Sequence, residues 1–170
     1  MSQAVEAHGG QVDMVLSDGL MAVFGLETTR EKASRAAILA ARDMLRAVRA
    51  LNLELGSAIP MPVRVGIGIH VGPVIVAENH SASGAAVNAL GETVSIASRL
   101  EAATKEVLAD CLVSVEAAEA AAAQFGAAAR REIHVRGQDA PIAAYALTDG
   151  QDIEIGSGPK RAGALETVVS

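Results

Sequence analysis

Tryptophan is absent, and the chain carries one tyrosine and two phenylalanines. So few rings exclude a platform on which bases of a single strand would stack. Basic residues are in deficit, 14 Lys and Arg against 20 Asp and Glu, for a formal net charge of -6. That excludes a uniformly basic nucleic-acid binder. The single cysteine, Cys111, excludes an intrachain disulfide framework and a cysteine-rich zinc site, and it suits a reducing, cytosolic setting. A long apolar run is also lacking. The most apolar stretch, 65–77, is broken by His70, by Gly66, Gly68 and Gly72, and by Pro73, so no membrane contact is expected of this chain. The opening residues, MSQAVEAHGG, have no basic segment followed by an apolar one and do not read as a signal peptide. No Gly-x-Ser-x-Gly motif occurs, and nothing suggests an acyl-transfer triad. His8, His70, His80 and His134 have no metal-ligand spacing and read as structural or surface residues. Cys111 opens a short apolar run and reads as a buried, inert thiol.

What is present is 51% hydrophobic residues in a chain of 170, enough to bury the core of one domain. Residues 2–7 are too short to stand as a helix alone, and Gly9-Gly10 stops them. Residues 11–16 and 20–24 are apolar runs joined at Ser17-Asp18-Gly19, a strong hairpin signal. Thr28-Thr29-Arg30-Glu31 has the spacing of a capping box, and a long helix should follow to about Leu55. Its apolar stripe is Ala37, Ala41, Met44, Val48, Leu51 and Leu55. Residues 63–69 and 74–77 read as buried strands, 78–91 as a loop rich in small and polar residues, and 92–105 as a helix. A short strand at 111–113, an Ala-rich helix at 115–123, and strands at 131–135 and 142–147 complete the pattern. The stretch from Asp149 onward reads as a mobile tail. The order of elements gives an α+β domain over 1–148, with a mostly antiparallel sheet and helices on one side.

Three groups of residues carry competing readings. Asp18 either makes the turn or presents a carboxylate, held between two strands, to a hard cation. The glycines of Gly66-Ile67-Gly68-Ile69-His70-Val71-Gly72 resemble a phosphate loop only superficially, since no helix follows directly. Close backbone packing explains them better. Ser95 and Arg99 lie four residues apart on a helix, hence on one face. Arg99 is either a solvated arginine or, with the Ser95 hydroxyl, a guanidinium aimed at a phosphate.

Taken together, these segments resemble the class III nucleotidyl cyclases. Residues 8–13 and then Ser17-Asp18-Gly19-Leu20-Met21-Ala22-Val23-Phe24-Gly25 look like the second-metal hairpin of that family. Residues 64–72 resemble its next strand pair, and Leu90-Gly91-Glu92-Thr93-Val94-Ser95-Ile96-Ala97-Ser98-Arg99-Leu100-Glu101 its catalytic helix. Val135-Arg136-Gly137, through Pro141 to Tyr145, matches its closing hairpin. The collinear order, over about 5–147, is what makes the match specific.

The resemblance implies a ferredoxin-like cyclase fold. It also implies conversion of ATP, or alternatively GTP, to a cyclic 3′,5′-monophosphate and pyrophosphate. In the family two Mg²⁺ or Mn²⁺ ions assist at a homodimer interface in cyclic nucleotide signalling. Residue by residue, Asp18 falls on the second metal-binding aspartate and Arg99 on the transition-state arginine. Ser95 falls where asparagine is usual. Met14 and Asn88 fall on the purine-reading pair, and Arg136 on a triphosphate-binding lysine. Met14 cannot donate or accept strongly there. The strand that carries the first metal aspartate in the family has no counterpart, so the chain reads as an N-terminally shortened domain. It is expected to be weak or inactive alone, and its parent protein to be an adenylate cyclase, cytoplasmic or membrane-anchored. The alternative is a non-catalytic cyclase-like module that dimerises or binds nucleotide.

Overall fold

The computed structural model describes residues 1–16, 18–81, 84–126, 128–134, 140–148, 153–155 and 166–169. It opens with helix α1 (Ser2–Ala7), ended by a turn in which Gly9 takes a φ of +74°. The helix is held by its neighbour rather than by its own length. The His8 ring donates to Asp43, with Nε2 2.8 Å from Oδ2, and this hydrogen bond keeps the Asp43 carboxyl below the usual carboxylate range.

Strands β1 (Gln11–Val15) and β2 (Leu20–Phe24) form the expected hairpin. The Leu16 N–H closes its turn by donating to the Gly19 carbonyl at 2.8 Å. The β1–β2 ladder shifts register between Val12 and Met14, so Asp13 sits at a bulge.

Helix α2 (Arg30–Leu55) is capped by Thr29, whose Oγ1 accepts from the Lys32 N–H at 3.4 Å. The capping-box spacing set the cap one residue early. Ala37, Ala41 and Met44 of the expected stripe are buried, but the last turns leave the core and Leu51 is 42% exposed. Beyond a short 3₁₀ turn (Gly56–Ala58), Asn52 pairs with both backbone groups of Val63 at 2.8 Å. Those bonds hold residue 63 beside α2, and β3 (Ile67–Gly72) starts later than the apolar run suggested.

The strand expected at 74–77 runs on as β4 (Ile75–Ser81), and the residues beyond it that were expected as a loop complete an antiparallel hairpin with β5 (Gly84–Leu90). Small residues there carry little strand propensity, and the pairing partner decides the conformation. Helix α3 (Glu92–Val107), strand β6 (Cys111–Ser114) and helix α4 (Val115–Ala121) follow close to their expected places. The remaining strands are β7 (Ala123–Gln124), β8 (Ala129–Ile133), β9 (Ile142–Leu147), β10 (Glu154–Ile155) and β11 (Glu166–Val169). The last two lie within the stretch expected as a mobile tail.

The main sheet runs β1-β2-β11-β3-β6-β9-β8, and all neighbours are antiparallel except β3 and β6. Side chains alternate across it. Ile67, Ile69, Val71, Cys111 and Val113 point into a core shared with α1, α2 and α4. Leu112 points to the opposite face, where Leu100 and Ala103 of α3 meet Ile133, Ala144 and Ala146. Helices therefore cover both faces, not one. The alternation of Ile and Gly in β3 explains the second layer. A Cβ at Gly68 would strike the Ala97 carbonyl and the Glu101 amide, and one at Gly66 would strike Thr104. The glycines let α3 lie directly on the strand, as the packing reading required. Cys111 is fully buried, and burial pushes its thiol far above the usual range. The neutral thiol is the inert form.

Candidate functional site

Two elements bring the candidate residues together. The first is the β1–β2 hairpin, in which Met14 stands directly opposite Met21. The second is α3, whose start is fixed by Thr93: its Oγ1 donates to the Pro73 carbonyl at 2.7 Å. Gly91 precedes the helix with a φ of +142°, a backbone conformation that favours glycine. From that fixed start, Ser95 and Arg99 project from successive turns toward the hairpin.

Between the two elements lies a cleft of about 380 Å³, lined by Met14, Leu16, Met21, Val94, Ser95, Ser98 and Arg99. Three of the six residues singled out in the sequence thus share one site: Met14, Ser95 and Arg99. Arg99 is half-buried, and among the described residues no acid pairs with it. Its guanidinium is a permanent cation with donors in a planar fork, beside the Ser95 hydroxyl and an apolar wall of methionines. Such a site can receive an anionic group attached to a flat apolar body.

The other three residues stand apart. Asp18 is exposed at the hairpin tip and does not line the cleft. Among the described residues no three His, Cys, Asp or Glu side chains converge. One exposed carboxylate does not make the two-ion site that the sequence resemblance implies. Asn88 lies on β5, half-buried and outside the cleft lining. Arg136 lies outside the described residues.

Sequence reasoning missed Met21 and Ser98, although the hairpin register and the helical period could have supplied both. It also missed Asp13. This bulged residue accepts a hydrogen bond from the Ala89 N–H at 3.3 Å, tying β1 to β5 next to Asn88. Its Oδ2 is buried with no partner, and burial raises its carboxyl above the ordinary value. Nothing in the sequence signals the bulge that turns Asp13 inward.

The family model for the adenylate and guanylate cyclase catalytic domain matches residues 4–149. An adenylate cyclase of Anabaena cylindrica is 27% identical over 148 residues, which is 85% of this chain and 29% of the relative. The chain therefore spans less than a third of that curated relative. The solved structure of a guanylyl cyclase superposes with a TM-score of 0.72 at 22% identity, covering 95% of this chain and 78% of that one. The adenylyl cyclase CyaB from P. aeruginosa superposes with a TM-score of 0.69 at 24% identity, covering 88% and 76%. At these identities the two structures bear on the fold. Among the described residues no helix is long and apolar enough to cross a membrane.

Proposed function

Since the chain belongs to the adenylate and guanylate cyclase catalytic domain family, we propose that its cleft is the nucleotide site of a class III cyclase. The substrate would be ATP, with GTP as the competing purine. In the reaction the 3′-oxygen bonds to the α-phosphorus as the bond to the bridging oxygen breaks. Pyrophosphate leaves, and the hydroxyl proton passes to water.

The observation that carries this reading is the meeting of Arg99, Ser95 and Met14 in one cleft. Arg99 would neutralise charge that builds on the transferring phosphate, where a preorganised cation acts most strongly. The Ser95 hydroxyl, one turn earlier, would orient the ribose. Met14 and Met21 would give the purine an apolar wall that selects shape rather than edge pattern. Asn88 would supply an amide to the base edge and Arg136 a charge to the triphosphate. Asp18 would be the carboxylate offered to a divalent ion. Since a single carboxylate does not fit a two-ion site, no step is assigned to metal here.

A second copy of the chain would complete the site. Val15, Leu16, Ile75 and Leu90 are 73%, 54%, 72% and 54% exposed on the two hairpins. Apolar side chains left in water on neighbouring strands favour a homodimer through this end of the molecule.

The test is a cyclase assay on the purified chain with Mn²⁺ and either ATP or GTP. Cyclic product should form only at a low rate, since the shortened chain is expected to be weakly active alone. Arg99→Ala should lower kcat by about a hundredfold or more with little change in KM. A selective rise in KM would reassign Arg99 to ground-state binding. Nucleotide binding without any product would favour a non-catalytic module, and neither binding nor product would overturn the reading.

A further inference from the structure

We propose that the gap between β2 and β3 is a strand-acceptor site whose ligand is this chain's own segment Glu166–Val169. On this reading, insertion of the segment is what joins the β1–β2 hairpin to the rest of the sheet. The register defines the slot. Thr167 stands opposite Phe24 on one side and Val71 on the other, Val168 opposite Val23 and His70, and Val169 opposite Ala22 and Ile69. The ligand runs antiparallel to both walls, so β2 and β3 are parallel to each other and have no direct ladder. Among the described residues, β1 pairs with β2, and β2 pairs otherwise with β11. Every described backbone ladder between the hairpin and the sheet therefore passes through four residues from the far end of the sequence.

The walls are built to be covered. Ala22, Val23 and Phe24 are at most 1% exposed, and Ile69 and Val71 at most 3%. Their backbone groups would lose partners if the slot emptied, and buried backbone groups are almost always paired. Helices α2 and α3 pack on β11 from the two faces, so the slot also has a floor and a roof. The ligand sequence, Glu-Thr-Val-Val, is β-branched in three consecutive positions, the composition that suits a buried strand. Proline is not tolerated in such a central strand, which gives a selective way to eject it. The slot holds one half of the candidate cleft in register with the other. Met14 and Met21 lie on the hairpin side, and Ser95 and Arg99 on the α3 side. The inference does not depend on what the cleft binds.

Hydrogen exchange on the intact chain tests it. The amides of residues 167–169 should be protected and should exchange as one group with those of residues 22–24. That group should exchange faster than residues 111–114 of β6, a strand buried along its whole length and continued directly by α4, because local openings start where fewer elements hold the chain. Val168→Pro in the full chain should lower protection of residues 22–24 at least tenfold while β6 stays protected. A peptide of residues 164–170, added to that variant, should restore it. Unchanged protection in Val168→Pro, or failure of the peptide to restore it, would overturn the proposal. If Val168→Pro loses β6 protection as well, the variant has unfolded and the native pattern decides. Exchange of residues 167–169 at free-peptide rates, or only together with β6, then overturns the proposal.

Discussion

The two halves of the cleft are built to different standards. On one side α3 lies on β3 with no side chain between them at Gly68, and Leu100 is fully buried beneath it. On the other side the β1–β2 hairpin carries Met14 at 45% exposure and Val15 at 73%, and among the described residues its one ladder to the main sheet is that with β11. The contrast teaches where chemistry needs precision. Arg99 and Ser95 are fixed by a packed backbone contact, whereas the methionine wall facing them stands on a hairpin whose outer strand is largely exposed. A charge that must meet a phosphate gains from preorganisation, while an apolar wall adapts to what it covers.

The largest effect should come from breaking the rigid half. Gly68→Ala places a Cβ against the Ala97 carbonyl and the Glu101 amide, both backbone atoms that cannot swing aside. Helix α3 has to lift, and the cost should reach about 3 kcal/mol or more. A urea titration with an unchanged midpoint would show that the helix does not rest on that strand as described.

A smaller loss should follow at the other anchor of the rigid half. Ser114 is fully buried, and its Oγ accepts from the Ala117 N–H at 3.2 Å while lying 2.9 Å from His70 Nδ1. Ser114→Ala removes the cap of α4 and leaves a half-buried imidazole nitrogen without its partner, for a loss of about 1–3 kcal/mol. Replacement by Thr should recover part of it if the hydroxyl is what matters. Equal melting temperatures for Ala and wild type would remove Ser114 from the account.

Burial of His70 gives the rigid half a pH dependence. Burial holds His70 below its ordinary value, against the pull of Glu116 and Glu92 and with the push of Arg30. The unfolded chain therefore takes up a proton near pH 6.5 that the folded chain resists, and stability should fall as pH drops from about 7 toward 5. The melting temperature should decline less steeply over that window in His70→Gln. An identical slope would assign the acid sensitivity to other groups.

How much of this was legible in the sequence depends on what each feature rests on. The glycine alternation of β3 showed in the residues because a missing side chain is itself the signal. The strand Ile142–Leu147 was placed to the residue, since its apolar run ends in turn residues on both sides. Met14, Ser95 and Arg99 meet because hairpin and helix, both legible locally, happen to face each other. The β4–β5 hairpin was hidden by small residues whose strand preference is weak, so only the partner strand decides. Strand β11 was hidden more deeply. Its walls lie far away in sequence, and no local pattern states that a terminal segment will sit centrally in a sheet. The placement of Asp18 away from the cleft is a three-dimensional fact of the same kind.

The smallest expected effect lies at the hairpin tip and carries the opposite sign. Gly19 has no atom within 4 Å of where a Cβ would stand, and its φ is not in the left-handed range. Asp-Gly steps usually owe their glycine to a positive φ, but here the connection is closed by the Leu16–Gly19 hydrogen bond and makes no such demand. Alanine at this position therefore costs the folded state nothing and narrows the unfolded ensemble. Gly19→Ala should be neutral to stabilising by up to about 1 kcal/mol. Set against Gly68→Ala, the same chemical change should differ by several kcal/mol between the two halves of one cleft, because one glycine is a contact surface and the other is only a turn. A marked destabilisation at Gly19, measured in the same urea titration, would mean that the tip is held as tightly as the helix.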